Sequence, residues 1–244
     1  ADEFKSLYLR LVELTDRAPS HGDLMECIRT DEAADARLVD LYRCRADLPI
    51  AQIDFYRIVR SREYLPAETF SEIAGATLAR PERSRRMLAQ NGRAQGTPLQ
   101  KVPILLSGIV PEPMTIFDAL DQMGAAVVAD DFAGCGRRLY PASTRDDPFQ
   151  RMAERILAAP PDSTRGSAIE ARLEYLARLA QTSGARGVVF YDVKFCEPEL
   201  FYLPALRKGL QDAGIPSLAV EVDLNDPLSK QVVTRLEAFL EMIT

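Results

Sequence analysis

Tryptophan is absent from the 244 residues, and histidine occurs once, at His21. Basic charge is not in excess: 30 Lys and Arg stand against 36 Asp and Glu, giving a net charge of -6 and a pI of about 5.1. Nucleic-acid binding therefore has no global electrostatic support. The arginines clustered between Arg80 and Arg93 lie among acidic residues and Gly, which suits a solvated linker better than a recognition helix. No apolar run is long enough to span a bilayer. The four cysteines, Cys27, Cys44, Cys135 and Cys196, form no CxxC pair and no zinc spacing with a histidine. This excludes a disulfide framework and fits a reducing, cytoplasmic setting. GxGxxG, Walker, GxSxG and HExxH patterns are all missing. Ser-His-Asp catalysis would have to use His21, which sits on a polar stretch far from the other candidates and reads as a surface residue.

What is present is an ordinary globular composition, 47% hydrophobic and 27% charged. Two organisations follow one another. Up to about residue 79 the apolar residues recur at helical spacing, as in Phe4, Leu7, Tyr8, Leu11 and Leu14. Ser20 to Asp23 reads as a loop with Asp23 as N-cap of a second helix. Leu48-Pro49 interrupts the pattern, residues 50–59 resume it, and Pro66 opens a further helix. Cys27 and Cys44 fall in these helices and read as packing residues. Residues 80–100 are polar and basic and read as a boundary or mobile link.

From Lys101 the period changes. Short apolar runs at 102–106, 125–129, 188–191 and 216–222 read as strands. Helical patterns at 114–123, 149–158, 169–181, 203–212 and 228–243 alternate with them. Residues 130–138 read as a long polar loop. The fold class is α/β: a four-stranded parallel, flavodoxin-like doubly wound sheet preceded by an all-helical region. The expected division is 1–95 for the helical region and linker and 96–244 for the α/β domain.

In such a sheet, working side chains sit beyond the carboxyl ends of the strands. Three ends offer candidates: Ser107 and Gly108; Asp130, Asp131, Gly134, Gly136 and Arg137; and Lys194 with Cys196. Turn chemistry explains the first equally well, and capping or an Arg ion pair explains the aspartates. Cys196, just past the run Gly187-Val188-Val189-Phe190-Tyr191, is either a small buried hydrophobe or a functional thiol.

Several of these segments carry a family resemblance. They are Ile104-Leu105-Leu106-Ser107-Gly108, the stretch from Val127 through Asp130-Asp131-Phe132-Ala133-Gly134-Cys135-Gly136-Arg137-Arg138, Gly187 to Pro198, Gly214-Ile215-Pro216, Glu221-Val222-Asp223, and Arg235 to Phe239. In order and spacing they resemble the second α/β domain of the 2-hydroxyacyl-CoA dehydratase and benzoyl-CoA reductase family. The opening, with Arg29, Arg37 and Pro49, resembles that family's connecting helices. The resemblance implies an acyl-CoA enzyme subunit with a 4Fe-4S cluster, Cys196 as one cluster ligand, and strand-end residues Ser107, Gly108, Asp130, Asp131 and Arg137 around the substrate. Arg137 or Arg138 would pair with substrate phosphate or carboxylate. The implied partners are a homologous subunit and an ATP-dependent activator that donates a low-potential electron. The implied reaction is radical dehydration of a 2-hydroxyacyl-CoA or reduction of an aromatic thioester.

One departure stands out. The family's first α/β domain, which brings two further cluster cysteines, has no counterpart in these residues. The chain opens on Ala1-Asp2-Glu3-Phe4 without a signal-peptide pattern and is expected to be processed or part of something longer. The other expectations are a half supplied by a separate chain, a scaffold subunit that has lost its cluster, and, from fold promiscuity, a flavodoxin-like cofactor domain.

Overall fold

The computed structural model describes residues 1–80 and 101–244. The stretch 80–100 expected to be a link, with most of the arginine cluster, lies outside them apart from residue 80.

Among the described residues four α-helices come first: α1 (Asp2–Thr15), α2 (His21–Arg43), α3 (Gln52–Ser61) and α4 (Ala67–Leu78). Helix α2 starts earlier than expected. Ser20, not Asp23, is its N-cap; the Ser20 hydroxyl accepts from the Asp23 amide while the Asp23 carboxylate accepts from the Ser20 amide. Asp23 is the third residue of a capping box, in which two otherwise unpaired amides are satisfied reciprocally. Cys27 faces solvent, contrary to the packing expected of it. Cys44 ends α2 and packs, half-buried, against the core.

The remainder alternates as β1 (Val102–Gly108), α5 (Thr115–Gln122), β2 (Ala125–Phe132), α6 (Pro148–Leu157), α7 (Ile169–Ser183), β3 (Gly187–Val193), α8 (Glu197–Asp212), β4 (Ser217–Val222) and α9 (Lys230–Ile243). All strand pairs are parallel, in the order β2-β1-β3-β4. This is the expected doubly wound sheet. The strand order reverses between β1 and β3, so their carboxyl ends flank a topological switch point.

Successive side chains along a strand point to opposite faces, and both faces are covered. Val189 and Tyr191 join Ile104, Leu106, Val220 and Val222 in a cluster with Leu38, Leu41, Tyr56, Phe70, Phe117, Leu236 and Phe239. Val188 and Phe190 point the other way, to Leu105, Ala129, Leu176, Leu206 and Leu210. The N-terminal helices therefore share a continuous core with one face of the sheet. Tyr56 of α3 is central to that contact: its ring stacks on Phe117 at 4.1 Å and meets Phe132 edge-on at 6.2 Å.

A bulge decides the orientation of β2. Ile104 pairs with Val127 but Leu105 pairs with Ala129, so Val128 is the extra residue. Val127 faces the N-terminal helices, whereas Ala129, two residues on, faces α7 and α8. Every side chain after the bulge changes sides. Asp131 is thereby delivered to the α7–α8 face and Asp130 to the α3 face.

Candidate functional site

The three predicted strand ends do converge on one edge, but the polar loop expected over 130–138 is not open. Asp130, Asp131 and Phe132 are the last residues of β2, and Gly136–Arg138 form a short 3-10 turn folded back beneath them. Ser107, Asp131 and Arg137 are each at most 1% exposed. The signal for a loop was the run of polar and Gly residues. Burial with full ionic pairing overrides it, since buried charge is tolerated when it is paired and hydrogen-bonded.

Asp130 organises the turn. Its Oδ1 accepts from the Gly136 amide at 2.8 Å and its Oδ2 from the Tyr56 hydroxyl at 2.8 Å, with Arg45 Nη1 at 3.6 Å. Burial pushes this carboxyl above its ordinary value, opposed by Arg45 and Tyr56. A Cβ on Gly136 would lie 2.2 Å from the Asp130 carbonyl oxygen, so the turn closes only with glycine. Gly108 has an equivalent reason: a Cβ there would stand 2.3 Å from the carbonyl oxygen of Tyr191 on the neighbouring strand.

On the other face, Asp131 accepts from Ser107 Oγ at 3.0 Å, Arg137 Nε at 3.2 Å and Arg172 Nη1 at 2.6 Å. Arg137 also donates to Glu199 Oε1 at 2.7 Å and the Gly108 carbonyl at 3.0 Å, and lies 3.3 Å from Asp162. Its guanidinium is thus consumed by internal partners and ties β1, β2 and α8 together. The more exposed Arg138 pairs with Glu63. Cys135 is fully buried in the core, and burial pushes its thiol well above its ordinary range.

Cys196 is differently placed. It is half-buried, belongs to neither hydrophobic cluster, and is the N-cap of α8. Burial raises its thiol pKa, opposed by the Glu199 amide; Glu199, Asp192 and Arg137 provide the charges around it. Helix α8 begins at Glu197, six residues before the expected start. Pro198 in its first turn was the available signal. The preceding Phe195 has φ 66° and is 89% exposed. A left-handed backbone is unfavourable for an aromatic residue, and such strain collects at working turns.

Sequence reading missed Arg172, Asp192 and Glu199. Neither Arg172, inside a helical pattern, nor Glu199, ahead of the helix expected from residue 203, carries a local signal of burial. Only the sheet register and the early start of α8 bring them onto Asp131 and Arg137. The two most voluminous cavities described, about 690 and 650 Å³, lie elsewhere, along the outer edge of β4, and share Leu203 and Arg207. Among the predicted site residues, only Lys194 lines either of them. Among the described residues no three His, Cys, Asp or Glu side chains are grouped to hold a metal. None of the helices there is long and apolar enough to cross a membrane.

Residues 1–243 match the family described as 2-hydroxyglutaryl-CoA dehydratase, D-component. The chain belongs to this family. Its similarity to individual proteins of this kind is moderate. It is 26% identical over 163 residues to the (R)-phenyllactyl-CoA dehydratase beta subunit of Clostridium sporogenes, covering 66% of this chain and 43% of that one. It is 24% identical over 208 residues to the lactoyl-CoA dehydratase beta subunit of Anaerotignum propionicum, covering 84% and 53%. It is 23% identical over 252 residues to one of the subunits of benzoyl-CoA reductase from Thauera aromatica, covering 99% and 62%. The chain spans about half the length of these curated relatives. The resemblance stated from the sequence is thereby confirmed at the level of the family.

Proposed function

We propose that this polypeptide is part of a subunit of an iron–sulfur, radical-type 2-hydroxyacyl-CoA dehydratase or benzoyl-CoA-type reductase. It would act with a homologous subunit and an ATP-dependent electron donor on an acyl-CoA thioester, in the cytoplasm. Membership of the dehydratase family supports the reaction class. The relatives named as dehydratase and reductase subunits support both outcomes.

The observation that carries the reading is Cys196: a partly accessible thiol at the switch-point end of β3, outside both apolar clusters. A thiol there suits one ligand of an iron–sulfur cluster. The described residues do not fit a complete cluster, because they bring no three such donors together. The remaining ligands would come from other polypeptide. Of the strand-end residues, Ser107, Gly108, Asp130, Asp131 and Arg137 would shape the floor of the site through their internal bonds. Arg137, with each of its donors bonded inside, would set the position of α8 rather than grip the thioester's phosphates.

Anaerobic iron and sulfide reconstitution of the complete assembly tests this. Cys196→Ala should lose the reducible cluster while far-UV circular dichroism stays unchanged. A variant that keeps the full cluster overturns the ligand role. An unsubstituted assembly that binds no iron favours the scaffold reading.

A further inference from the structure

Beneath the first turn of α8 lies a buried charged layer with an imbalance. Asp131 (0% exposed), Asp162 (5%), Asp192 (1%) and Glu199 (3%) supply four carboxyl groups, and Arg137 (1%) and Arg172 (0%) supply two guanidinium groups. The nearby Arg165 lies exposed, outside the layer. Three of the carboxyls are committed. Asp131 holds Arg137 and Arg172, Asp162 caps Thr164 and lies by Arg137, and Glu199 holds Arg137 and accepts from Ser163. Asp192 is not committed: its Oδ2 is buried without a hydrogen-bond partner among the described residues, and no ion pair reaches it there. A buried carboxylate without a cationic partner is strongly disfavoured, and the neutral acid is the state of lower free energy.

The groups around Asp192 act in opposing directions, and the carboxylates prevail. Burial first, then Glu199 of α8 and Glu221 of β4, outweigh the opposing pull of Arg137 and Arg172 and push its pKa up to about 7. Cys196, four residues on, feels the charge of Asp192 in turn. Glu199, the layer's link to α8, sits one turn from Cys196, and its amide donates to the Cys196 carbonyl at 3.2 Å. Ionising Asp192 would set an unpaired negative charge against the residue that pins this turn to the sheet.

We propose that Asp192 is a proton-operated latch and a positioning residue: as a neutral acid it keeps the Cys196–Glu199 turn seated, and on losing its proton it loosens that turn. Its relevance to chemistry rests on the reading of Cys196 given above; its test does not. Hydrogen exchange of peptides spanning residues 194–201 is measured at about pH 6 and about pH 8, one unit either side of the transition and corrected for intrinsic exchange. Protection in the wild-type protein should fall by up to roughly tenfold, since one pKa unit is a factor of ten. Asp192→Asn, a permanently neutral isostere, should remain protected at both values. Glu199→Gln, which removes the pin, should be weakly protected at both. Equal wild-type protection at the two values overturns the latch, as does the same fall in Asp192→Asn or unchanged protection in Glu199→Gln. Failure of Asp192→Asn to fold also overturns it, because the amide is the nearest mimic of the neutral acid. No metal or substrate enters the measurement, so a negative result leaves the Cys196 assignment standing.

Discussion

Asp192 shows how one buried carboxyl makes stability depend on pH. Its ordinary pKa of 3.8 rises to about 7 in the folded chain, first through burial. Between those values the folded protein holds a proton that the unfolded chain has released. Stability contributed by this group is therefore full below about pH 4, falls as pH rises to about 7, and is level above that. At about 1.4 kcal/mol per unit the fall is at most about 4 kcal/mol. Urea unfolding across this range should show the decline in the wild-type protein and a flatter profile for Asp192→Asn, with the variant more stable above pH 7. A steeper decline in the variant would contradict the assignment. Asp131 and Arg137 are as deeply buried but saturated with partners, so the same depth has a different consequence.

At the scale of the element, the two edge strands are treated differently. Gln52 at the start of α3 closes the edge of β2 like a piece of strand: its amide nitrogen donates to the Ala125 carbonyl at 3.1 Å, and its oxygen accepts from the Val127 amide at 2.6 Å. Along β4, Arg235 donates to the Ala219 carbonyl. Unprotected edges invite pairing with other chains, and side-chain cover is one way to prevent it. Gln52→Ala should cost about 1–3 kcal/mol in chemical denaturation, the penalty for leaving buried backbone groups unpaired. It should also raise light scattering on mild heating. An unchanged midpoint would mean that solvent serves the edge equally well.

For the molecule as a whole, the decisive contact joins the helices to the sheet. Tyr56 stacks on Phe117, meets Phe132 and donates to Asp130, so one side chain spans α3, α5 and β2. Removing a buried aromatic typically costs about 3–5 kcal/mol, and here Asp130 also loses a donor. Tyr56→Ala should lower the urea midpoint accordingly. Near-UV and far-UV circular dichroism of the unmutated protein should unfold together, because both regions share a core. Separate transitions would show that the helices and the sheet are independently stable.

Local pattern carried much of this protein. Helical spacing up to about residue 79, four short apolar runs and the helices between them were legible because burial on one face or two imposes its own period. The sheet class and the family followed from those runs and their strand-end residues. The closed state of the 130–138 segment was not legible. A bulge at Val128 reverses the side-chain parity of β2, and no local propensity reports it. Nor could composition tell that Arg172 and Glu199 come from separate helices to neutralise Asp131 and Arg137. Whether a charge is solvated or buried depends on what the rest of the chain brings to it, and that is fixed only when strands register and helices dock.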